Sequence, residues 1–243
     1  MLMQKLKTIG HTVAYQMASM SARLFLRCFM RIRVTGRQHL PRQGPYLLVC
    51  NHISHFDSPL LASTIWRKIA WVVALDMYAH PLNWAYFTAI ESIPVHRTKT
   101  DWKAPRAILK RFRRGEIVGL FPEGGIRAGS MSVLGGAPMD EAVGALACLG
   151  HVPVVPCVIL GADKLYAWRA WLWNTTIDIR FGPPVNIQEG ESSSDARQRV
   201  TRLVTGTMCG LVEELKTEFA LQERDLPQTP QERWKEAGTQ SVK

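Results

Sequence analysis

The chain has 243 residues, 47% of them hydrophobic and 21% charged, and its 30 Lys+Arg against 20 Asp+Glu leave a formal charge of +10. That balance excludes a disordered or collagen-like chain, and the length suits one sizeable α/β domain. The five cysteines at 28, 50, 148, 157 and 209 lack C-x-x-C spacing, so neither a disulfide framework nor a zinc knuckle is expected, and they read as small core residues in a reducing compartment.

The positive charge is concentrated at the start: Lys5, Lys7, Arg23, Arg27, Arg31, Arg33, Arg37 and Arg42 all precede the first acidic residue, Asp57. Beside them Leu2, Leu6, Ile9, Val13, Met17, Met20 and Leu24 recur at helical spacing. Residues 1–30 are therefore predicted as an amphipathic helix lying in the headgroup region of an anionic membrane, too interrupted by polar residues for a span or a signal peptide. The same stripe would also fit an ordinary helix packed on a core. No nucleic-acid motif accompanies the charge, so no nucleic-acid partner is expected.

A main domain over 31–222 follows. Its short apolar runs, bounded by turn residues, predict strands at 32–35, 46–50, 70–74, 117–121, 152–159 and 176–181. Helical patterns fall at 59–67, 102–114, 139–149 and 195–219. Residues 142–162 are apolar enough to imitate a membrane span, but Gly150, Pro153 and Pro156 break them into a helix and a buried strand. Strands alternating with helices predict an α/β fold with a mostly parallel central sheet flanked by helices. The Pro- and Gln-containing tail at 223–243 is predicted to be disordered.

Chemistry in such sheets gathers at the C-terminal ends of strands. The strand at 46–50 runs into Asn51-His52-Ile53-Ser54-His55-Phe56-Asp57, and the strand at 117–121 runs into Pro122-Glu123-Gly124-Gly125-Ile126-Arg127. Across the first turn Asp57 can hold one imidazole nitrogen of His52 as N–H and leave the other free as a base. A helix cap at Asp57 and a satisfied loop histidine are the plain alternatives. In the second turn the glycines let backbone N–H groups approach a ligand, and Arg127 offers a fork for phosphate or carboxylate. The stretch Val95-His96-Arg97-Thr98-Lys99 adds further cations.

Taken in order, Asn51-His52-x-Ser54-x-x-Asp57, Ile93-Pro94-Val95-x-Arg97, Phe121-Pro122-Glu123-Gly124 and Val152-Pro153-Val154-Val155-Pro156 resemble the four blocks of the glycerolipid acyltransferase family, over roughly residues 30 to 185. The resemblance is greatest to bacterial 1-acylglycerol-3-phosphate acyltransferases. It implies His52 as general base and Asp57 as its partner, with Asn51, Ser54, Arg97, Glu123, Gly124, Gly125 and Arg127 around the acceptor. It implies acyl transfer from acyl-CoA or acyl-carrier protein to 1-acyl-sn-glycerol 3-phosphate, with no cofactor and no metal, at the cytoplasmic face of the inner membrane by peripheral or monotopic attachment. The family's third block usually continues with Thr-Arg. Here Gly125-Ile126 stand in that place, so a different lyso-lipid acceptor is the alternative. Tyr166, Trp168, Trp171 and Trp173, with Lys164 and Arg169 among them, offer either a second membrane contact or cover for a sheet edge. Two rival classes remain: a metal-dependent hydrolase built on His52, His55 and Asp57, and a non-catalytic membrane-binding module.

Overall fold

The computed structural model describes residues 20–21, 23–26, 28–96, 102–172, 175–188, 193–229 and 231–232. Seven strands form one sheet: β1 (Met30–Thr35), β2 (Tyr46–Cys50), β3 (Ile69–Ala74), β4 (Ile93–Val95), β5 (Ile117–Leu120), β6 (Val154–Leu160) and β7 (Thr175–Phe181), in the order β1-β7-β6-β2-β5-β3-β4. All neighbours are parallel except β6 and β7. The helices that follow the strands are α1 (Asp57–Thr64), α2 (Pro81–Ala89), α3 (Lys103–Arg113), α4 (Ala142–Gly150) and α5 (Ser193–Phe219).

Every residue of β2 and of β6 is buried, because both faces of a largely parallel sheet are covered. Leu47 and Val49 point into a core with Ile108 of α3, Val143 of α4 and Val204 of α5. Leu48 and Cys50 point the other way, into a core with Leu60 and Leu61 of α1, Leu26 and Trp71. This period-two division sets the two layers. Pro156 lies inside β6, yet its carbonyl accepts the N–H of Gly182, just past the last β6–β7 pair at Cys157 and Phe181. Its missing N–H therefore falls where the ladder has ended. The β6–β7 connection consists of 3-10 turns at Ala162–Tyr166 and Trp168–Trp171, which let β7 return antiparallel. Gly161 opens it at φ 84°, where a β-carbon would stand 2.5 Å from the Thr176 carbonyl oxygen.

The six predicted strands and four predicted helices are present with small shifts at their ends. The apolar stretch at 142–162 divides into α4 and β6, and no helix among the described residues is long and apolar enough to cross a membrane. β4 and α2 have no counterpart among the sequence-based expectations. Within the first part of the segment expected as a tail, Glu223–Asp225 is a 3-10 turn, Leu226 packs on the first core, Asp225 pairs with Lys164 at 3.1 Å and the Gln228 N–H donates to Asp163 at 3.1 Å. Residue 230 and residues 233–243 of that segment lie outside the described residues. Most of the predicted N-terminal helix also lies outside them. Its described end is helical up to Phe29, with Met20 and Leu24 exposed and Leu26 buried, and Met30 already belongs to β1.

Candidate active site

Cys50 ends β2, and the chain turns before α1. Asp57 is the first residue of α1 and fully buried, and it does not cap the helix. Its Oδ2 instead accepts three hydrogen bonds of 2.8 Å, from His52 Nδ1 and from the backbone N–H groups of Ile53 and Ser54. Burial raises the Asp57 carboxyl above its ordinary range, and these same donors pull it back. The bond fixes His52 with Nδ1 protonated and leaves Nε2 as a free acceptor, on a side chain that is 20% exposed.

The turn after β5 grips His52 from the other side. Phe121 stacks on the imidazole at 4.1 Å between centroids and on Trp71 at 5.0 Å. Glu123 Oε2 accepts the His52 backbone N–H at 2.7 Å, and its Oε1 accepts the Val133 N–H at 2.9 Å. The N–H of Arg127 donates to the His52 carbonyl at 2.9 Å. Both backbone polar groups of the base are therefore held by one turn, and burial raises the Glu123 carboxyl. Glu123 acts here as a brace, a role that residue type and spacing did not reveal.

Two expected acceptor-site residues are committed elsewhere. Asn51 is fully buried, and its carboxamide pairs with both the N–H and the C=O of Ile159, each at 2.9 Å, tying the turn to β6. Ser54 is fully buried as well, with Oγ accepting the Phe56 N–H at 3.2 Å. Both are buried and shape the turn through these bonds. Gly124 and Arg127 are exposed beside His52, Gly125 is half-buried, and Gly124 has a φ of 62° that disfavours a side chain. Arg97 lies outside the described residues, two positions past the end of β4.

The rival metal-hydrolase arrangement of His52, His55 and Asp57 is not formed: among the described residues no group of three His, Cys, Asp or Glu is placed to hold a metal ion. His52 turns Nδ1 to Asp57, and His55 turns Nδ1 to the Tyr166 hydroxyl. Cys50 is fully buried beside Cys157 across the β2–β6 ladder, and burial, first among several causes, pushes its thiol well up. A thiol in that state is a poor nucleophile. The arrangement can do general-base chemistry: a free imidazole nitrogen, fixed from three sides, at the mouth of a parallel sheet.

Comparison with known proteins agrees. A model of the family described as Acyltransferase matches residues 31–160, more than half of the chain, from the start of the sheet to the end of β6. The chain is 21% identical over 151 residues to the 1-acyl-sn-glycerol-3-phosphate acyltransferase of Bacillus subtilis, covering 62% of this chain and 73% of that protein. Its fold matches the crystal structure of the 1-acyl-sn-glycerophosphate (LPA) acyltransferase PlsC from Thermotoga maritima, with a TM-score of 0.63, 21% identity and coverage of 86% of this chain and 83% of that one. With the family match spanning the strand ends that hold His52, Asp57 and Glu123, the chain belongs to the acyltransferase family, as an O-acyltransferase.

Proposed function

We propose that the protein moves a fatty acyl group from acyl-CoA or acyl-carrier protein to the free hydroxyl of 1-acyl-sn-glycerol 3-phosphate, forming phosphatidic acid. The observation that carries the reading is the 2.8 Å bond between His52 Nδ1 and buried Asp57, which leaves Nε2 open. In the reaction Nε2 takes the proton of the acceptor hydroxyl as its oxygen attacks the thioester carbonyl. The tetrahedral oxyanion then collapses, the C–S bond breaks, and His52 returns the proton to the departing thiolate. No protein nucleophile takes part, in keeping with the burial of Cys50.

The phosphorylated acceptor is supported by the exposed Arg127 beside His52 and by Arg97 in the matching block. The Gly125-Ile126 pair, where the family usually has Thr-Arg, keeps another lyso-lipid as the second reading. Because acceptor and product are lipids, the protein works at a membrane surface. Its basic N-terminal segment suits peripheral attachment to an anionic bilayer, at the cytoplasmic face of the inner membrane. The decisive assay offers lysophosphatidic acid, glycerol 3-phosphate, other lysophospholipids and lyso-aminolipids with each donor in turn. Transfer to lysophosphatidic acid is expected, and use of a non-phosphorylated acceptor alone would refute the substrate.

A further inference from the structure

The catalytic turn is bound at a second point that the chemistry above does not use. The Tyr166 hydroxyl accepts the backbone N–H of His55 at 3.1 Å and shares a 2.6 Å hydrogen bond with His55 Nδ1. The hydroxyl therefore serves the backbone and the ring of one residue at once, as acceptor from the N–H and as partner of Nδ1. His55 stands between Ser54, whose N–H is held by Asp57, and Phe56, which immediately precedes α1. One hydroxyl thus pins the outer side of the turn whose inner side carries the base.

Tyr166 is also the inner end of a run of rings. Its ring lies 6.3 Å from Phe56, Phe56 meets Trp171 at 5.3 Å, and Trp171 meets Phe25 of the N-terminal helical residues at 6.0 Å. The elements that meet at the outer end of this run expose large apolar side chains: Met20, Leu24, Trp168 and Leu172 are 61%, 68%, 69% and 67% exposed. Two arginines stack on rings of these elements and their neighbours, the Arg23 guanidinium over Trp66 at 4.0 Å and that of Arg169 over Trp168 at 5.6 Å. Exposed tryptophans beside arginines suit the headgroup boundary of an anionic bilayer, where ring and cation each find a favourable layer.

We propose that Tyr166 is a positioning residue that ties the catalytic turn to a bilayer-contacting face made by helical residues 20–21 and 23–26 and the Trp168–Trp171 turn with Leu172, so that contact with lipid holds the turn in its working geometry. This deepens the membrane-acyltransferase reading and rests on it. Free in water, the face can shift with the N-terminal helical residues. Seated in lipid, it fixes Trp171, Phe56 and, through the hydroxyl, His55.

The test uses the full-length protein, with lysophosphatidic acid presented either in phosphatidylglycerol–phosphatidylcholine vesicles or below its critical micelle concentration. The unaltered enzyme should turn over faster with vesicles. Tyr166→Phe keeps the ring packing and removes only the hydroxyl. It should lose most of that stimulation, with kcat on vesicles down by about ten- to a hundredfold, while the donor KM, vesicle binding and melting temperature stay close to the unaltered values. Trp168→Ser combined with Leu172→Ser should reduce vesicle binding in a flotation assay. Full vesicle stimulation in Tyr166→Phe overturns the positioning role. Undiminished vesicle binding by the double variant overturns the bilayer face, as does a change from dimer to monomer in sedimentation, which would identify a second copy as the occupant. Failure of the underlying functional reading looks different: the unaltered protein transfers acyl groups to no lyso-lipid in either presentation, which overturns the positioning role too, while flotation still decides the face.

Discussion

Glu123 holds the backbone N–H of His52 at 2.7 Å from a position 71 residues further along the chain, while its second oxygen holds Val133 at 2.9 Å. The acidic residue of the Pro-Glu-Gly turn thus joins two loops through their backbones. Glu123→Gln keeps the shape but places an amide NH2 against one of those N–H groups, leaving a buried donor without an acceptor at a cost of about 1–3 kcal/mol. The expected result is a lower melting temperature and a reduced kcat with acceptor KM nearly unchanged. A selective rise in acceptor KM would assign Glu123 to the acceptor instead.

The dyad gives the sharpest loss. His52→Ala and Asp57→Asn should each cut acyl transfer by about 10²- to 10⁴-fold with the fold retained, as expected for removal or misorientation of a positioned base. His55→Ala should cost much less. Steady-state rates with circular dichroism on the same samples are sufficient, and near-normal turnover by His52→Ala would refute the base.

Arg97→Ala and Arg127→Ala should raise the acceptor KM more than the donor KM, because a guanidinium clamping phosphate contributes binding as well as orientation. Kinetics with both substrates varied separate the two effects. Acceptor constants unchanged in both variants would remove the phosphate contact.

Glu91 provides a pH signature remote from the site. Burial alone would raise its carboxyl, but Lys68 and Arg111 outweigh burial and bring it down to about 2 from 4.5. The folded value lies below the unfolded one, so the two ion pairs stabilise the fold above the unfolded value and are lost as pH falls through the folded one. Glu91→Gln should therefore melt a few degrees lower than the unaltered protein at pH 7, and the gap should close between about pH 4.5 and pH 2. A gap that stays constant over that window would mean the pairs contribute nothing through charge.

Membrane attachment is tested by removing residues 1–19 only, since Leu26 and Met30 belong to the core and must stay. The shortened protein should lose most of its binding to anionic liposomes while remaining active on detergent-dispersed acceptor. Lys5 and Lys7 contribute about 1 kcal/mol each near an anionic surface, so the attachment of the full chain should weaken with salt. Liposome binding unaffected by the cut would mean the stripe is not an anchor.

Much of the fold was legible because its central strands are continuous apolar runs between turn residues, as in Tyr46–Cys50. β4 was not, being three residues long with Pro94 in the middle, and α2 was not, since it buries no residue and so carries no core-facing stripe. His52 and Asp57 could be paired from spacing because their side chains meet each other across one turn. The roles of Asn51 and Glu123 were hidden for a common reason: their partners are backbone groups of Ile159, His52 and Val133, and a backbone N–H has no residue type to betray it. The order of residues 226–229 was hidden because it depends on Asp163 and on the first core, both supplied from far along the chain.

The first strand of the sheet is paired with the last. Met30 to Thr35 lie in register with Thr175 to Arg180, and Arg33 reaches Asp178 at 2.7 Å while its guanidinium rests on the ring of Phe219 at 3.7 Å. During synthesis β1 emerges early and has no neighbour until β7 has left the ribosome, so it joins the sheet only after the residues through Phe181 have been made. Until then β1 waits without its ladder partner, and the strand that is made first is among the last to join the sheet.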